Sequence, residues 1–383
     1  MAFTFVSVDF DEFHSALPAS VRVDSDRFDG LDPLAFILDD GRSVTYRLVD
    51  GLVSWHLGTS GDAATIVELD AFWFGTFAAE YLTAPALQIQ GRLTFHRGDF
   101  SQLDRWEPLL RLLFTGRPVY EPAGIDRTDL ERVFIWGDDP IEEITRFYDE
   151  HGFAVIRGFL EPDEVTELDG ESDRLAAEAT STDGSSWWVT ADDGIDHVCQ
   201  LHFASLRSQP ISRLETDPRV CELVTAIAPG LVAHATTGNG HFAVIKNPGV
   251  TGGLTDLAWH VDCGLGGHPV LCPSLHIGIQ TRSMSRESGP MMFLAGSHRT
   301  SPVRPTPSEE QAWPVVTVLA EPGDVTLHNP DTVHAAPPPT GEAQGRRTIY
   351  LSFGRPELSE LFGFKEGYDH IVFANDGHAQ FPT

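Results

Sequence analysis

A chain of 383 residues is long for one hydrophobic core and comfortable for two, and 41% hydrophobic with 21% charged residues is a folding composition, not a disordered one. The formal net charge of -30 repels nucleic acid and anionic lipid headgroups over a Debye length, and no basic run offsets it. The four cysteines, at 199, 221, 263 and 272, contain no C-x-x-C pair, so neither a disulfide frame nor a zinc ribbon is expected.

The N-terminus lacks a basic n-region and turns acidic early, no apolar run reaches membrane-spanning length, and Gln-Phe-Pro-Thr at the end is no peroxisomal address. Reduced thiols and a cytoplasmic location follow as expectations. The sequence sets no oligomeric state.

Residues 1–120 read as a small α+β unit. Val44, Tyr46 and Leu48 alternate with polar residues, as do Val53, Trp55 and Leu57, and Asp50-Gly51 between them predicts a hairpin. Ala71 to Leu82 predicts a short apolar helix. Leu87, Ile89, Leu93 and Phe95 predict a strand interrupted at Gly91. Leu103, Trp106, Leu109, Leu110 and Leu113 keep helical spacing and close the unit.

Residues 121–138 read as a linker, with Pro122, Gly124 and charges at no clear period. Residues 139–383 form the second unit. Asp139 as cap, Pro140 at the first helical position and Glu142 predict a helix that stops at Gly152. A strand from Phe153 and a helix from Glu161 follow. Beyond residue 230, short β-like runs alternate with Gly/Pro turns: His241–Ile245, Leu275–Gln280, Met291–Leu294, Val315–Leu319, Val325–His328 and Thr348–Phe353. That spacing predicts an antiparallel sandwich or barrel.

His260-Val261-Asp262 is a His-x-Asp pattern in a chain of 16 histidines. On a strand, residues i and i+2 face the same side, so both side chains can enter one barrel mouth. His334, from a distant strand, completes two imidazoles and a carboxylate, the facial triad of non-haem iron(II) oxygenases. Twelve residues on, Arg346-Arg347 enters the last predicted strand. A buried guanidinium there would clamp the far carboxylate of a 2-oxo diacid. Alternation leaves at least one of the two arginines solvated.

The order of these pieces resembles the phytanoyl-CoA dioxygenase (PhyH) family over about residues 140–356. The resemblance rests on Phe147-Tyr-Asp-Glu-His-Gly-Phe-Ala-Val-Ile-Arg-Gly-Phe-Leu, Lys246-Asn-Pro-Gly, Trp259-His-Val-Asp, Ser288-Gly-Pro-Met-Met-Phe-Leu-Ala-Gly-Ser-His-Arg, Pro322-Gly-Asp-Val, His334 and Arg346-Arg-Thr-Ile. It implies a mainly β fold with helices: a double-stranded β-helix (jelly-roll) catalytic domain beside the small N-terminal α+β domain. It also implies Fe(II) held by His260, Asp262 and His334, with 2-oxoglutarate as cosubstrate and O2 as oxidant. Arg346, in preference to Arg347, would bind the 2-oxoglutarate tail, with Lys246 near it. Pro337-Pro-Pro-Thr departs from many relatives after His334. Asp262 itself disfavours halogenation, since halogenating relatives carry a small residue there.

The N-terminal unit resembles a sterol-carrier-protein domain through Leu34-Ala-Phe-Ile-Leu-Asp-Asp-Gly-Arg, the Asp50-Gly51 hairpin, Ala64-Thr-Ile-Val-Glu-Leu and Gly91-Arg-Leu-Thr-Phe. A structural or dimerising module is the alternative. Trp187, Trp188, His202 and Phe203 lie where the oxygenase family places substrate segments. Together these features imply hydroxylation, or another oxidation, of an unactivated C–H in a hydrophobic small molecule. Lipids, terpenoids and polyketides suit such a wall. The rival readings are a non-catalytic lipid carrier with a degenerate barrel and a cupin-like metalloenzyme independent of 2-oxoglutarate.

Overall fold

The computed structural model describes residues 8–355 apart from 192, 237–239, 266–269 and 341–344, together with 372, 377 and 378. The first seven residues, expected to carry no secretory signal, lie outside the described residues. So does most of the stretch after Arg355 assigned to the second unit, including the C-terminal Gln-Phe-Pro-Thr.

The N-terminal residues build a six-stranded sheet. The predicted hairpin is there: Ser43–Val49 pairs antiparallel with Leu52–Leu57, and Asp50 and Gly51 take the left-handed conformation that the two-residue turn requires. Leu34–Leu38 lies beside it and pairs in parallel with Thr65–Leu69. The helix Ala71–Ala78 and the helix Phe100–Thr115, capped by Asp99, cover the sheet and bury Phe74, Phe77, Leu103, Trp106, Leu109 and Leu110.

One expectation fails here. Leu87 and Ile89 belong to a short helix, Ala84–Ile89, and the strand starts only at Thr94. Thr83 caps that helix through the Ala86 amide, and Pro85 sits in its first turn. Apolar residues two apart in so short a run do not separate helix from strand, and the cap decides it.

The expected linker is not all irregular. Val133–Ile135 pairs in parallel with Phe153–Arg157 at the edge of a larger sheet. The following helix starts at Ile141, one residue later than expected, because Asp139 serves elsewhere: its carboxylate accepts from the Ile135 amide at 2.7 Å. Gly152 ends the helix in the left-handed conformation.

From here two sheets face each other. The larger runs, edge to edge, Val133–Ile135, Phe153–Arg157, Val325–His328, Ser274–Arg282, Arg347–Gly354, Phe242–Ile245, Asp196–Leu201 and Ser186–Thr190, with Val232–Ala233 also pairing onto Arg347–Gly354. The smaller has Leu257–His260, His334–Ala336, Met292–Leu294 and Val315–Thr317 in that order.

Strand alternation sorts the larger sheet into two faces. Leu275, Ile277, Ile279, Leu327, Ile349 and Leu351 join the core under the helices Ile141–His151, Pro162–Glu178 and Pro218–Ile227. His276, Gly278, Gln280, Thr348, Tyr350 and His328 take the opposite face, toward the smaller sheet. Behind the smaller sheet, Trp259, Val261, Leu294, Val333 and Ala335 share one apolar core with the N-terminal sheet and its helices. The N-terminal layer therefore backs the strands that carry His260 and His334.

Candidate metal centre

His260 ends the strand Leu257–His260 and His334 opens the strand His334–Ala336. The two are register partners, with ring centroids 4.2 Å apart. Asp262 lies two residues on, past the end of its strand. Its amide donates to Pro330 O at 2.8 Å, which ties it to the segment leading into His334. The pair was expected on one strand; instead a strand end and the turn after it bring the two together.

Asp262 Oδ1 stands 3.5 Å from His260 Nε2 and 3.7 Å from His334 Nε2. His260 Nδ1 is 2.7 Å from Ala258 O, and His334 Nδ1 is 2.8 Å from Thr332 O. A carbonyl only accepts, so each Nδ1 carries a proton, and each Nε2 is the ring atom that faces the centre and could offer a lone pair to a metal.

Two more histidines complete a ring around the carboxylate. His276 Nε2 and His328 Nε2 stand 3.5 and 3.8 Å from Asp262 Oδ2. Sequence reasoning missed both. The available signal was their position: each sits on a predicted strand at a site alternating with core aliphatics.

Burial alone would raise the Asp262 pKa, but the four imidazoles, His334 foremost, hold it well below the usual carboxylate range. Burial pushes His334 down to about 3 and His328 to about 4. At neutral pH Asp262 is therefore ionised and His334 and His328 are neutral, the charge states that metal ligation requires of a carboxylate and an imidazole. Although enclosed by these groups, the Asp262 side chain keeps 35% of its surface accessible, so an opening reaches it.

Arg346 and Arg347 part company. Neither is solvated, contrary to expectation: Arg347, 4% exposed, is covered by the helix Pro162–Glu178, where it pairs with Asp169 at 2.9 Å and Asp173 at 2.6 Å. Arg346 is buried at 2% exposure and donates to Gly289 O at 3.0 Å, Tyr350 Oη at 3.1 Å and Thr348 Oγ1 at 3.2 Å, all neutral acceptors. Thr348 is fixed in turn by Gln280 Oε1 at 2.7 Å. Burial lowers the Arg346 pKa below its ordinary value, and an anion beside it would relieve that cost.

Two glycines make room for this arm. A Cβ on Gly289 would stand 2.4 Å from Pro337 O, and one on Gly278 would stand 2.7 Å from the Tyr350 ring. Tyr350 thus lies across the sheet from Arg346 to His328, whose ring centroid is 5.8 Å from its own.

Lys246 is also buried, beside Arg346. Burial first, then Arg346, push its pKa down to about 6. Its Nζ faces three carbonyls, Thr255 O at 2.9 Å, Ala336 O at 2.6 Å and Pro337 O at 2.5 Å. Three acceptors match the three N–H bonds of an ammonium, and a neutral amine would leave one unserved, so this cage favours the charged form. Those contacts make Lys246 a brace between strands at the edge of the site.

The four aromatic candidates divide. Trp187 and His202 lie 5.0 Å apart between ring centroids, His202 lies 6.4 Å from Phe242, and Phe242 stacks on Tyr350 at 5.0 Å. They prolong one aromatic surface away from Tyr350. Phe203 stands at its edge, 6.3 Å from His202. Trp188 alternates to the other face, packs against the helix-side core and donates its Nε1 to Ser186 Oγ at 2.9 Å. Burial pushes His202 to about 3 and keeps it neutral.

Residues 148–348, just over half of the chain, match the phytanoyl-CoA dioxygenase (PhyH) family. The chain belongs to this family. Ectoine dioxygenase of Nocardia farcinica is 25% identical over 181 residues, covering 47% of this chain and 57% of that relative, so the chain spans little more than half of the curated protein it matches.

Among solved structures, EctD from S. alaskensis with 2-oxoglutarate and 5-hydroxyectoine aligns at 20% identity and TM-score 0.48, covering 62% of this chain and 82% of its own. SnoN, a non-heme alpha ketoglutarate dependent epimerase from nogalamycin biosynthesis, aligns in complex with Fe3+ and alpha ketoglutarate at 23% identity and TM-score 0.44, covering 57% of this chain and 86% of its own. Iron and 2-oxoglutarate are the cofactors of this family, and the His260, Asp262 and His334 donor atoms lie close enough together to hold one metal ion. Among the described residues no helix is long and apolar enough to cross a membrane.

Proposed function

We propose that this PhyH-family chain is an Fe(II)- and 2-oxoglutarate-dependent oxygenase that oxidises an unactivated C–H of a hydrophobic small molecule. The observation that carries the reading is the linking of two features through Tyr350: a carboxylate ringed by four imidazoles, and a buried arginine whose described partners are all neutral. The first suits a divalent metal and the second suits an anion.

In this reading His260 and His334 bind iron through Nε2, each held in orientation by its Nδ1 hydrogen bond, and Asp262 binds through Oδ1. His276 and His328 act through Asp262 as positioning residues on Oδ2. Arg346 takes the far carboxylate of 2-oxoglutarate, with Tyr350 setting its distance from the metal end. Iron and 2-oxoglutarate, when bound, would supply the dioxygen activation that such an oxidation needs. Trp187, His202 and Phe242 present an apolar wall that excludes water and orients a substrate beside the metal. Hydroxylation, desaturation and ring closure all use this arrangement.

The N-terminal unit reads best as a structural platform. Its interior is filled by Phe10, His14, Phe36, Tyr46, Phe74, Phe77 and Phe114 in ring contact, which leaves little space for a carried lipid. It also braces the turn after Asp262. The Thr83 amide donates to Gly264 O at 2.9 Å, and the Val270 amide donates to Glu80 O at 2.8 Å.

The test is anaerobic addition of Fe(II) and 2-oxoglutarate, followed by visible absorption. Wild type should develop a metal-to-ligand charge-transfer band. Asp262→Ala should neither hold iron nor show the band, and admitting oxygen should release succinate from wild type alone. Iron-loaded wild type with no band and no succinate would overturn the oxygenase reading in favour of a carrier.

A further inference from the structure

A cluster directly behind the metal centre is used by none of this chemistry. Cys263 follows Asp262 in the chain, and its Sγ lies 2.7 Å from Cys272 Sγ. Ser274 Oγ stands 3.2 Å from Cys272 Sγ and 3.8 Å from Cys263 Sγ. Asp331 joins them, its Oδ1 accepting from the Leu271 amide at 3.1 Å. Cys263, Cys272 and Asp331 are buried at 2%, 3% and 3% exposure.

The sulfur separation discriminates between the uses of such a cluster. Two thiols in van der Waals contact stay at least about 3.5 Å apart. A tetrahedral metal with bonds of about 2.3 Å to sulfur would hold them at about 3.7 Å. The observed 2.7 Å is shorter than both and lies toward the covalent distance of about 2.0 Å.

We propose that Cys263 and Cys272 are a disulfide-forming pair, a covalent clip across the back of the metal centre. The sequence, with no C-x-x-C, gives no sign of it. The fold does, by returning the chain after the turn to the start of the strand Ser274–Arg282. The bond needs little backbone travel, because the sulfurs already meet and the N-terminal layer holds Gly264 and Val270. It would join the neighbour of Asp262 to the residue four before His276, tying the carboxylate's turn to the strand that carries His276.

A peroxide is the oxidant class that completes the chemistry. One sulfur attacks a peroxide oxygen, the O–O bond breaks, and a sulfenic acid and one water form. The second sulfur then displaces the hydroxyl as a second water and the S–S bond forms. Two thiols lose two hydrogens and two electrons, and hydrogen peroxide becomes two molecules of water.

The test uses the full-length, metal-free chain treated with hydrogen peroxide, then alkylated in denaturant and peptide-mapped by mass spectrometry. The expected product is one intramolecular cross-link between the peptides holding Cys263 and Cys272, lighter by two hydrogen atoms. It should persist in a Cys199→Ser, Cys221→Ser double variant and vanish in Cys272→Ser and in Cys263→Ala. Oxidation should run more slowly than modification of the exposed Cys221, since both sulfurs are buried. The clipped protein should bind Fe(II) about tenfold more tightly than the reduced form, the scale of support shells around metal ligands.

Full alkylation of Cys263 and Cys272 after Cys221 has been consumed would overturn the proposal. So would stoichiometric zinc in the purified chain that Cys272→Ser removes, which would make the cluster a metal site. Equal iron affinity in the two redox forms would overturn the coupling to the metal centre.

Discussion

Replacing Arg346 by methionine tests the cosubstrate arm most directly. The side chain is 2% exposed and its described acceptors are a carbonyl, a phenol and a hydroxyl, so among the described residues no carboxylate meets its charge. A carboxylate bound there forms a buried, charge-assisted pair, and truncating one partner of such a pair costs about 2–4 kcal/mol. At about 1.36 kcal/mol per tenfold, 2-oxoglutarate affinity should fall about 30- to 1,000-fold.

The assay is an anaerobic 2-oxoglutarate titration of the Fe(II) protein, read at the charge-transfer band. Arg347→Met is the control. That residue pairs with Asp169 and Asp173 on the neighbouring helix, so its loss should lower the melting temperature and leave the titration unchanged. Arg346→Met binding 2-oxoglutarate like wild type, while Arg347→Met loses it, would refute the assignment.

Substituting His276 or His328 by glutamine should weaken iron binding about 10- to 100-fold with the fold intact, as loss of a ligand's supporting shell does elsewhere. Iron titration with circular dichroism checks this, and wild-type affinity in both variants would remove their positioning role. A pH dependence follows from His202 and His241, pushed chiefly by burial to about 3 and about 4. Their unfolded pKa is about 6.5, so below that the unfolded chain binds more protons. Stability is then full above about pH 6.5 and is lost as pH falls toward 4, by up to about 1.4 kcal/mol per pH unit for each group. Urea midpoints at pH 7, 6 and 5 measure it. Equal midpoints, or a slope unchanged in His202→Gln, His241→Gln, would contradict it.

Local signals carried much of the fold. The hairpin at Asp50-Gly51 was legible because its two residues must go left-handed and little else in the chain bears on them. The strands around His276, His328 and Tyr350 were legible because alternation with buried aliphatics is a property of the strand itself. The apolar pair in Ala84–Ile89 fits helix and strand alike and only its Thr83 cap separates them, and Val133–Ile135 is too short to show a period.

For the site, His-x-Asp with a distant histidine and an Arg-Arg pair named the candidate ligand types and their order in the chain. Alternation further required Arg346 and Arg347 to face opposite ways, and likewise Trp187 and Trp188. Which member of each pair faces inward is not a local property. It depends on which face of the strand meets the helices, where Asp169 and Asp173 wait for Arg347, and which meets the smaller sheet, where Gly289 and Tyr350 receive Arg346. The ring of His276 and His328 about Asp262, and the meeting of Cys263 with Cys272, arise the same way. They join strands and turns far apart in sequence, and only packing of the two sheets brings those within bonding distance.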